Sequence, residues 1–376
     1  MSVSISQQDH WTQKGDVNLF LFEKFSGTPG VKPAILFVHG SSMAAQPTFD
    51  LKVPGRPHSS AMDYFVEQGF DTWCVDMEGY GRSDKKRDIN FDITNGADDL
   101  AAGSEFILKT TGARNLLVYG ISSGALKAAL FAQHHPERVA RLALDAFVWT
   151  GEGSPTLAER RKKLPDFLAR NRRPIDRAFV QSIFDRDHPG TADQATISAF
   201  ADAILTLDSS MPTGTYVDMC SKLPLIDPAK LPMPTLVMRG EYDGIASVDG
   251  VAAANAAGMR VWVTDHHLPG DELPAAECII NPNQPGCGFP SKNLAGVGVA
   301  LKLVQALCAK TGKSSWLPAF IKIASIGTLA DVVPLVGENR IIAKLGLQML
   351  TKGPHKVGLR ALLEAAGLNG KTIDSY

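Results

Sequence analysis

The chain has 376 residues, of which 44% are hydrophobic and 20% charged, and its formal net charge is −1. This composition is typical of a globular protein with one large domain plus additions, or with two domains. The balanced charge gives no electrostatic reason to expect a nucleic-acid partner, since such proteins carry strongly basic surfaces.

Targeting and metal signals are missing from the sequence. The first twenty residues lack a basic stretch followed by an apolar core, and no apolar stretch is long enough to span a bilayer. The cysteines have no paired spacing, so we expect neither a disulfide framework nor a zinc site. We expect a cytoplasmic protein with no membrane contact and no cofactor. The five cysteines are Cys74, Cys220, Cys278, Cys287 and Cys308.

Short apolar runs in the first part of the chain predict buried parallel strands, each closed by a turn rich in small residues. They are Ala34–Val38, Asp71–Asp76, residues 115–119 and Val139–Phe147. An Ala- and Leu-rich helix separates the third run from the fourth. Strands that alternate with helices predict an α/β fold with a doubly wound, mostly parallel sheet, whose chemistry lies at the carboxyl ends of the strands.

The third strand is followed by Gly120-Ile121-Ser122-Ser123-Gly124 and then by a helix. Gly-x-Ser-x-Gly between a strand and a helix is the pattern of a nucleophile elbow, in which a tight turn exposes the serine hydroxyl. The glycines relieve crowding, and the helix directs its N-terminal amides at developing negative charge. The pattern predicts Ser122 as the nucleophile.

Residues from about 15 to 247 resemble the α/β-hydrolase family, in the branch with a His-Gly turn at His39 and a D-x-x-G-x-G-x-S turn from Asp76. The resemblance implies that the backbone amides of Ser41 and Ser123 form the oxyanion hole. His39 itself is interpreted as a histidine that packs the loop.

The segment from 150 to 230 is rich in Arg, Pro and Asp with helical spacing, and its position resembles the cap inserted in many hydrolases. A cap excludes water and sets substrate shape. The Arg-Arg-Lys-Lys run at 160–163 is interpreted as a solvated helix face, with an anion site as the alternative. The strand that follows ends in RGEYDG, where the resemblance implies Asp243 as the triad acid. Asp145 is the alternative acid, and Glu241 is expected to face solvent.

From about Gly244 to Tyr376 the sequence instead resembles an internal piece of a RecJ-type exonuclease of the DHH phosphoesterase family. The resemblance rests on Asp265-His266-His267, on NPNQPGCGFPSKNLAGVG from Asn281 and on GTLADVVPL from Gly327. We interpret the chain as a chimera joined within Asp243–Gly250. The expected domains are a hydrolase core at 1–149, a cap at 150–230, a completed core at 231–268 and a helical tail at 269–376.

The DHH resemblance implies a two-metal site that also needs a D-x-D-G motif, and this sequence has none. Asp265, His266, His267 and Asp331 are therefore interpreted as vestigial ligands, with no metal expected.

The fused segment predicts a helix over Val248–Met259 and a strand over Arg260–Thr264, followed by the His266-His267 pair. This order matches the last β-α-β unit that the hydrolase sheet lacks. We expect the strand to lie beside the one that ends at Asp243, with His267 as the general base and His266 as the alternative. The competing interpretation is that both histidines are relics of the metal site.

Four apolar stretches in the tail have helical spacing, at 294–310, 315–327, 338–350 and 357–367. They predict a helical appendage, or exposed faces that drive self-association. The leading function is hydrolysis of small carboxylic esters through an acyl-enzyme. The alternatives are a fusion that lacks a working base and a metal-dependent phosphoesterase.

Overall fold

The structure is a computed structural model that describes residues 4–186, 189–190, 192–239, 243–247, 262–264, 268, 278–355, 357–368 and 370–374. The chain divides into two units, Met1–Met259 and Arg260–Tyr376. None of the helices in these described ranges has the length and apolar character needed to cross a membrane.

Nine strands of the described residues belong to the first unit. They are β1 (Ser6–Lys14), β2 (Val17–Phe25), β3 (Ala34–Val38), β4 (Asp71–Asp76), β5 (Leu116–Ile121), β6 (Val139–Asp145), β7 (Arg172–Pro174), β8 (Ser210–Pro212) and β9 (Thr235–Met238). Seven of them form one sheet in the order β1-β2-β4-β3-β5-β6-β9, while β7 and β8 pair with each other. From β4 to β9 all pairs are parallel, which confirms the predicted mostly parallel sheet.

Four helices follow strands of the sheet or the connections between them: α1 (Ala45–Phe49), α2 (Ala61–Glu67), α3 (Ile93–Thr111) and α4 (Ser123–His134). Five more lie between β6 and β9 in the chain: α5 (Pro155–Lys162), α6 (Leu164–Leu168), α7 (Arg177–Asp185), α8 (Gln194–Leu205) and α9 (Gly214–Ser221).

Both faces of the sheet are buried, as the alternation along β2 illustrates. Leu21 belongs to the core cluster that contains residues of α3 and α4, whereas Phe20 and Phe22 belong to the cluster with Phe49 of α1 and Met62 of α2. Successive side chains of a strand point to opposite faces, so helices cover the sheet on both sides. This confirms the doubly wound fold.

The antiparallel hairpin of β1 and β2 was not predicted from the sequence. β1 is a mostly exposed edge strand with the polar sequence SQQDHWTQK, so it lacks the apolar run that marks a buried strand. Gly15, with φ +56°, makes the two-residue turn between the strands.

The second unit contains β10 (Trp262–Thr264), β11 (Cys278–Ile280), α10 (Gly296–Lys310), α11 (Leu317–Ala330), α12 (Gly337–Lys352) and α13 (Val357–Ala365). The four helices confirm the predicted helical tail. Leu294, Val299, Ala324 and Ile342 form a small core of its own. Close packing of α11 and α12 depends on Gly346, where an added Cβ would lie 2.1 Å from the Ser325 Cβ.

The pairing of β10 differs from the sequence-based expectation. Its three residues pair in parallel with Cys278–Ile280, in a two-stranded sheet, and pairing with β9 is not seen among the described residues. The fused segment thus supplies its own partner strand, which the sequence analysis had not identified. The predicted helix over Val248–Met259 lies outside the described residues.

Candidate active site

Ser122 occupies a strained turn between β5 and α4. Its backbone has φ 56° and ψ −126°, in a region that residues with a side chain rarely adopt. The turn is fixed on both sides, because the Ser122 amide donates to the Asp145 carbonyl at 2.8 Å and the Ser122 carbonyl accepts from Ala125 at 2.9 Å. This is the geometry of the predicted nucleophile elbow.

The two glycines of the motif allow backbone segments to approach closely. A Cβ at Gly120 would lie 2.5 Å from the Gly124 carbonyl oxygen, and a Cβ at Gly124 would lie 2.4 Å from the Val38 carbonyl oxygen. No side chain fits at either position without moving the backbone. The motif therefore reflects the packing of α4 against β3 and β5.

The predicted oxyanion residues, Ser41 and Ser123, belong to two segments that approach each other at Ser122. Ser123 is the first residue of α4, where helical amides have no partner within the helix. Ser41 follows the His39-Gly40 turn, and a Cβ at Gly40 would lie 3.6 Å from the Ser122 Cβ. None of the hydrogen bonds among the described residues uses the amide of Ser41 or Ser123.

His39 is fully buried and its ring is held by backbone groups. The Met77 amide donates to Nε2 at 3.1 Å, and Nδ1 donates to the Gly40 carbonyl at 2.8 Å. Burial, with a smaller contribution from the nearby Lys127, lowers the pKa of His39 to about 3. The imidazole stays neutral, which fits a histidine that packs the loop.

Asp243 lies in the loop after β9, and one of its carboxylate oxygens accepts hydrogen bonds from the backbone. Oδ1 accepts from the amides of Ile245 at 2.8 Å and Ala246 at 3.2 Å. Oδ2 is buried and accepts no hydrogen bond within the described part of the chain. The alternative acid, Asp145, already accepts a hydrogen bond from the Tyr119 hydroxyl at 2.6 Å.

Of the remaining predicted site residues, only Asp331 lies where the structure is described. Glu241, Asp265, His266 and His267 lie outside the described residues. Asp331 ends α11, and its Oδ2 accepts a hydrogen bond from the Gly296 amide at 3.4 Å. No group of three or more His, Cys, Asp or Glu side chains suited to a metal occurs where the structure is described.

A cavity of about 870 Å³ lies between the loops of the site and the inserted helices. Ser42, next to the predicted oxyanion residue, and Asp243 line it from the sheet side, and residues of α5 to α7 line it from the other. Its volume is in the range of small-molecule sites. Ser122 itself is not among the lining residues.

The prediction that residues 160–163 form a solvated helix face is wrong at its first position. Arg161, Lys162 and Lys163 are exposed, but the Nη1 nitrogen of Arg160 is buried and has no hydrogen-bond partner. Arg160 of α5 and Lys163, which directly follows that helix, both line the cavity. The sequence spacing does not show that this side of the helix faces a cavity, because that depends on contacts with distant segments.

A lysine that no sequence motif marks is buried in α4, the helix that follows Ser122. Lys127 is 1% exposed, its Nζ has no hydrogen-bond partner among the described residues, and it lies 5.3 Å from the ring centroid of Tyr80. Burial lowers its pKa to about 7, against a smaller opposing effect of Asp99.

Comparison with known proteins separates the chain into two parts. The profile of a family described as alpha/beta hydrolase fold matches residues 33–266, and that of the DHH family, N-terminal domain, matches residues 240–328. A crystal structure of a hydrolase from Pseudomonas aeruginosa PA01 has a TM-score of 0.51 and 16% identity over 74% of this chain and 90% of that chain. This likeness concerns the fold alone.

The C-terminal region is similar to bacterial proteins described as single-stranded-DNA-specific exonuclease RecJ. The protein of Dickeya dadantii (strain 3937) is 47% identical over 134 residues, which cover 33% of this chain and 23% of that protein. The Escherichia coli (strain K12) protein is 45% identical over 141 residues, covering 35% and 24%. The chain thus spans about a quarter of the length of the curated relatives it matches.

The two family matches overlap at residues 240–266. The predicted join within Asp243–Gly250 lies inside this overlap. The chimeric arrangement expected from the sequence is therefore confirmed, with a hydrolase part followed by a DHH-family part.

Proposed function

Because this chain belongs to the α/β-hydrolase fold family, we propose that it is a serine hydrolase that cleaves small carboxylic esters through an acyl-enzyme. The observation that carries the proposal is the strained backbone of Ser122 at the start of α4. A serine held in this way presents its hydroxyl to a substrate carbonyl, and the helix N-terminus favours negative charge beside it.

In the proposed reaction, Ser122 Oγ attacks the ester carbonyl and transfers its proton to a histidine. The amides of Ser41 and Ser123 stabilise the tetrahedral oxyanion. The protonated histidine then gives its proton to the leaving alcohol, and an acyl-Ser122 ester remains. A water molecule, activated by the same histidine, releases the acid and restores the serine.

Asp243 is the proposed acid of the triad. Its Oδ1 is held by two backbone amides, which fixes the carboxylate, while the buried Oδ2 has no partner among the described residues. A buried carboxylate oxygen without a donor is costly, and an imidazole N–H would satisfy it. We assign that imidazole to His267, with His266 as the alternative, so the base would come from the fused segment.

We propose residues 150–230 as a cap that covers the substrate, because helices from this segment form one wall of the cavity beside Ser42 and Asp243. The proposed extents of the other parts remain 1–149 and 231–268 for the core and 269–376 for the tail.

A covalent label tests the proposed nucleophile. Incubation of the full chain with a fluorophosphonate should add one label to the peptide that contains Ser122, as read by mass spectrometry. Ser123→Ala is the matched control. The hydroxyl of Ser123 is buried and should not react, so this variant should still be labelled at Ser122. A label elsewhere, or an equal label on Ser122→Ala, would contradict the assignment.

A second candidate function follows from the DHH match at residues 240–328, namely metal-dependent hydrolysis of a phosphoester. Within the described ranges no group of three or more His, Cys, Asp or Glu side chains is suited to a metal, and the D-x-D-G motif is missing from the sequence. The described residues do not fit a two-metal site, so no step is assigned to a metal. Manganese-stimulated cleavage of single-stranded DNA, abolished by a chelator, would favour this candidate over the esterase.

A further inference from the structure

The cavity beside the site carries a surplus of positive side chains. Among the described residues four cationic and three anionic side chains line it. They are Arg160, Lys163, Arg173 and Arg186, and Glu159, Asp185 and Asp243.

The three carboxylates have other partners. Glu159 pairs with Lys162 at 2.5 Å, and Asp185 accepts a hydrogen bond from Gln181 at 2.7 Å. Asp243 Oδ1 accepts from two backbone amides. No described carboxylate lies within ion-pair distance of Arg160 or Arg173.

Arg173 is held rigidly by aromatic rings. Its guanidinium carbon lies 4.4 Å from the ring centroids of both Tyr216 and Phe179, and Nη2 donates to the Tyr216 hydroxyl at 2.7 Å. The Nε nitrogen is buried and has no hydrogen-bond partner. The side chain is thus positioned in advance with an N–H group unused.

Arg160 contacts the same tyrosine. Its guanidinium carbon lies 5.0 Å from the Tyr216 ring centroid, and its buried Nη1 has no partner. Burial would raise the pKa of Tyr216, but Arg173 and Arg160, together with hydrogen bonds from Ser42 and Ser41, outweigh it, so that the pKa is lowered. The two guanidinium groups therefore act on one buried residue of the cavity wall.

Buried guanidinium nitrogens without acceptors are unfavourable, and cation–π contacts offset only part of that cost. An anion in the cavity would supply the missing acceptors. A planar guanidinium matches a carboxylate through paired N–H donors.

The arginines connect to the proposed oxyanion loop through Tyr216. The Tyr216 hydroxyl lies 2.8 Å from Ser42 Oγ, and Ser42 directly follows Ser41. Arg173 is therefore two hydrogen bonds away from the loop that would hold the ester oxygen. A molecule with a carboxylate at one end and an ester at the other would contact the arginines with the first and this loop with the second.

We propose that Arg160 and Arg173 bind a carboxylate, so that the substrates are esters that also carry a free carboxylate, such as half-esters of short dicarboxylic acids. The inference rests on the proposed serine-hydrolase function, because the ester end must reach Ser122. Binding of a carboxylate by these arginines requires no catalytic step, so its affinity can be measured without hydrolysis.

The binding experiment uses the full chain with Ser122→Ala, which cannot form an acyl-enzyme. Calorimetric titration compares monomethyl glutarate, neutral dimethyl glutarate and inorganic phosphate. We expect monomethyl glutarate to bind at least about tenfold more tightly than the other two, and Arg160→Gln or Arg173→Gln to remove that preference. Arg177→Gln is the matched control, because this exposed arginine of α7 pairs with Asp202 and does not line the cavity.

Kinetics on the parent chain gives a second readout, the ratio of kcat/KM for a p-nitrophenyl half-ester of glutarate to that for p-nitrophenyl butyrate. Arg160→Gln should lower this ratio about tenfold and Arg177→Gln should leave it unchanged. Equal binding of the neutral diester, tighter binding of phosphate, or no effect of either arginine variant would overturn the subsite. Arginine-dependent binding of the half-ester without hydrolysis of any ester would keep the subsite and reject the proposed function.

Discussion

The Ser122 amide donates a 2.8 Å hydrogen bond to the carbonyl oxygen of Asp145. This bond ties the strained turn to the end of β6, the neighbouring strand of β5. Ser122, the proposed nucleophile, is thus held by the sheet on one side and by α4 on the other. Its geometry depends on packing around the turn, and substitutions that change this packing should affect folding and activity together.

Gly124→Ala should destabilise the first unit by about 1–3 kcal/mol, because the added Cβ would lie 2.4 Å from the Val38 carbonyl oxygen. Gly103→Ala is the control, since the helical Gly103 would place its Cβ at an ordinary 3.6 Å from Val75. That variant should stabilise by about 0.5–1 kcal/mol. Urea unfolding followed by tryptophan fluorescence measures both. Equal effects of the two substitutions would contradict the packing argument.

Lys127→Met should remove a loss of folding stability that is largest at or below pH 7. The folded pKa of Lys127 is about 7, whereas an unfolded lysine has a pKa of about 10.4. Between these values the unfolded chain holds more protons, so the stability of the parent rises with pH by up to about 1.4 kcal/mol per pH unit.

The advantage of Lys127→Met over the parent should therefore be largest at or below pH 7 and shrink towards pH 10. Asp76 and Asp99, whose pKa values burial raises to about 6, titrate below this window and are present in both proteins. Urea unfolding at several pH values is the measurement. Parallel stability curves for the two proteins would show that Lys127 is not a buried, destabilised cation.

Asp243→Asn should lower kcat/KM for an activated ester by about 10⁴-fold, because an amide would favour the wrong histidine tautomer. Asp145→Asn should change it little, since Asp145 is engaged by the Tyr119 hydroxyl. Initial rates on p-nitrophenyl butyrate distinguish them. A large loss in Asp145→Asn with little change in Asp243→Asn would instead assign the triad acid to Asp145, at the end of β6.

The C-terminal helices expose apolar side chains that a partner surface could cover. Ile323 of α11 and Ile341 of α12 are each 57% exposed, and Val332 is 89% exposed. We expect concentration-dependent self-association that Ile323→Lys combined with Ile341→Lys weakens, while Lys344→Gln does not. Sedimentation velocity over a range of concentrations measures it. A monomeric parent at all concentrations would exclude association through this face.

Much of the fold could be predicted because its buried strands are continuous apolar runs between turns. β3 and β4 lie where the sequence predicts them, and the four tail helices follow the apolar spacing. The elbow was predictable because a strand, two glycines and a helix occur in fixed order around Ser122. The β1–β2 hairpin was not, because a polar edge strand lacks a periodic apolar signal.

The arginine cluster could not be predicted because it depends on contacts between distant segments. Arg160 and Arg173 lie on different elements of the insertion and meet at Tyr216 of α9. Sequence spacing distinguishes helix faces but does not show which face a neighbouring segment covers. The strand partner of β10 was likewise missed, because β11 has only three residues.

In the proposed function, a histidine of the fused segment completes the triad of a serine hydrolase. The most direct test is the initial rate on p-nitrophenyl butyrate for the parent chain, Ser122→Ala, His267→Ala and His266→Ala, measured side by side. We expect Ser122→Ala and His267→Ala to lose activity by about 10³-fold or more, whereas His266→Ala should retain most of it. If the parent chain is no faster than Ser122→Ala, the proposed triad is wrong, and the protein has the fold of a hydrolase without a working base.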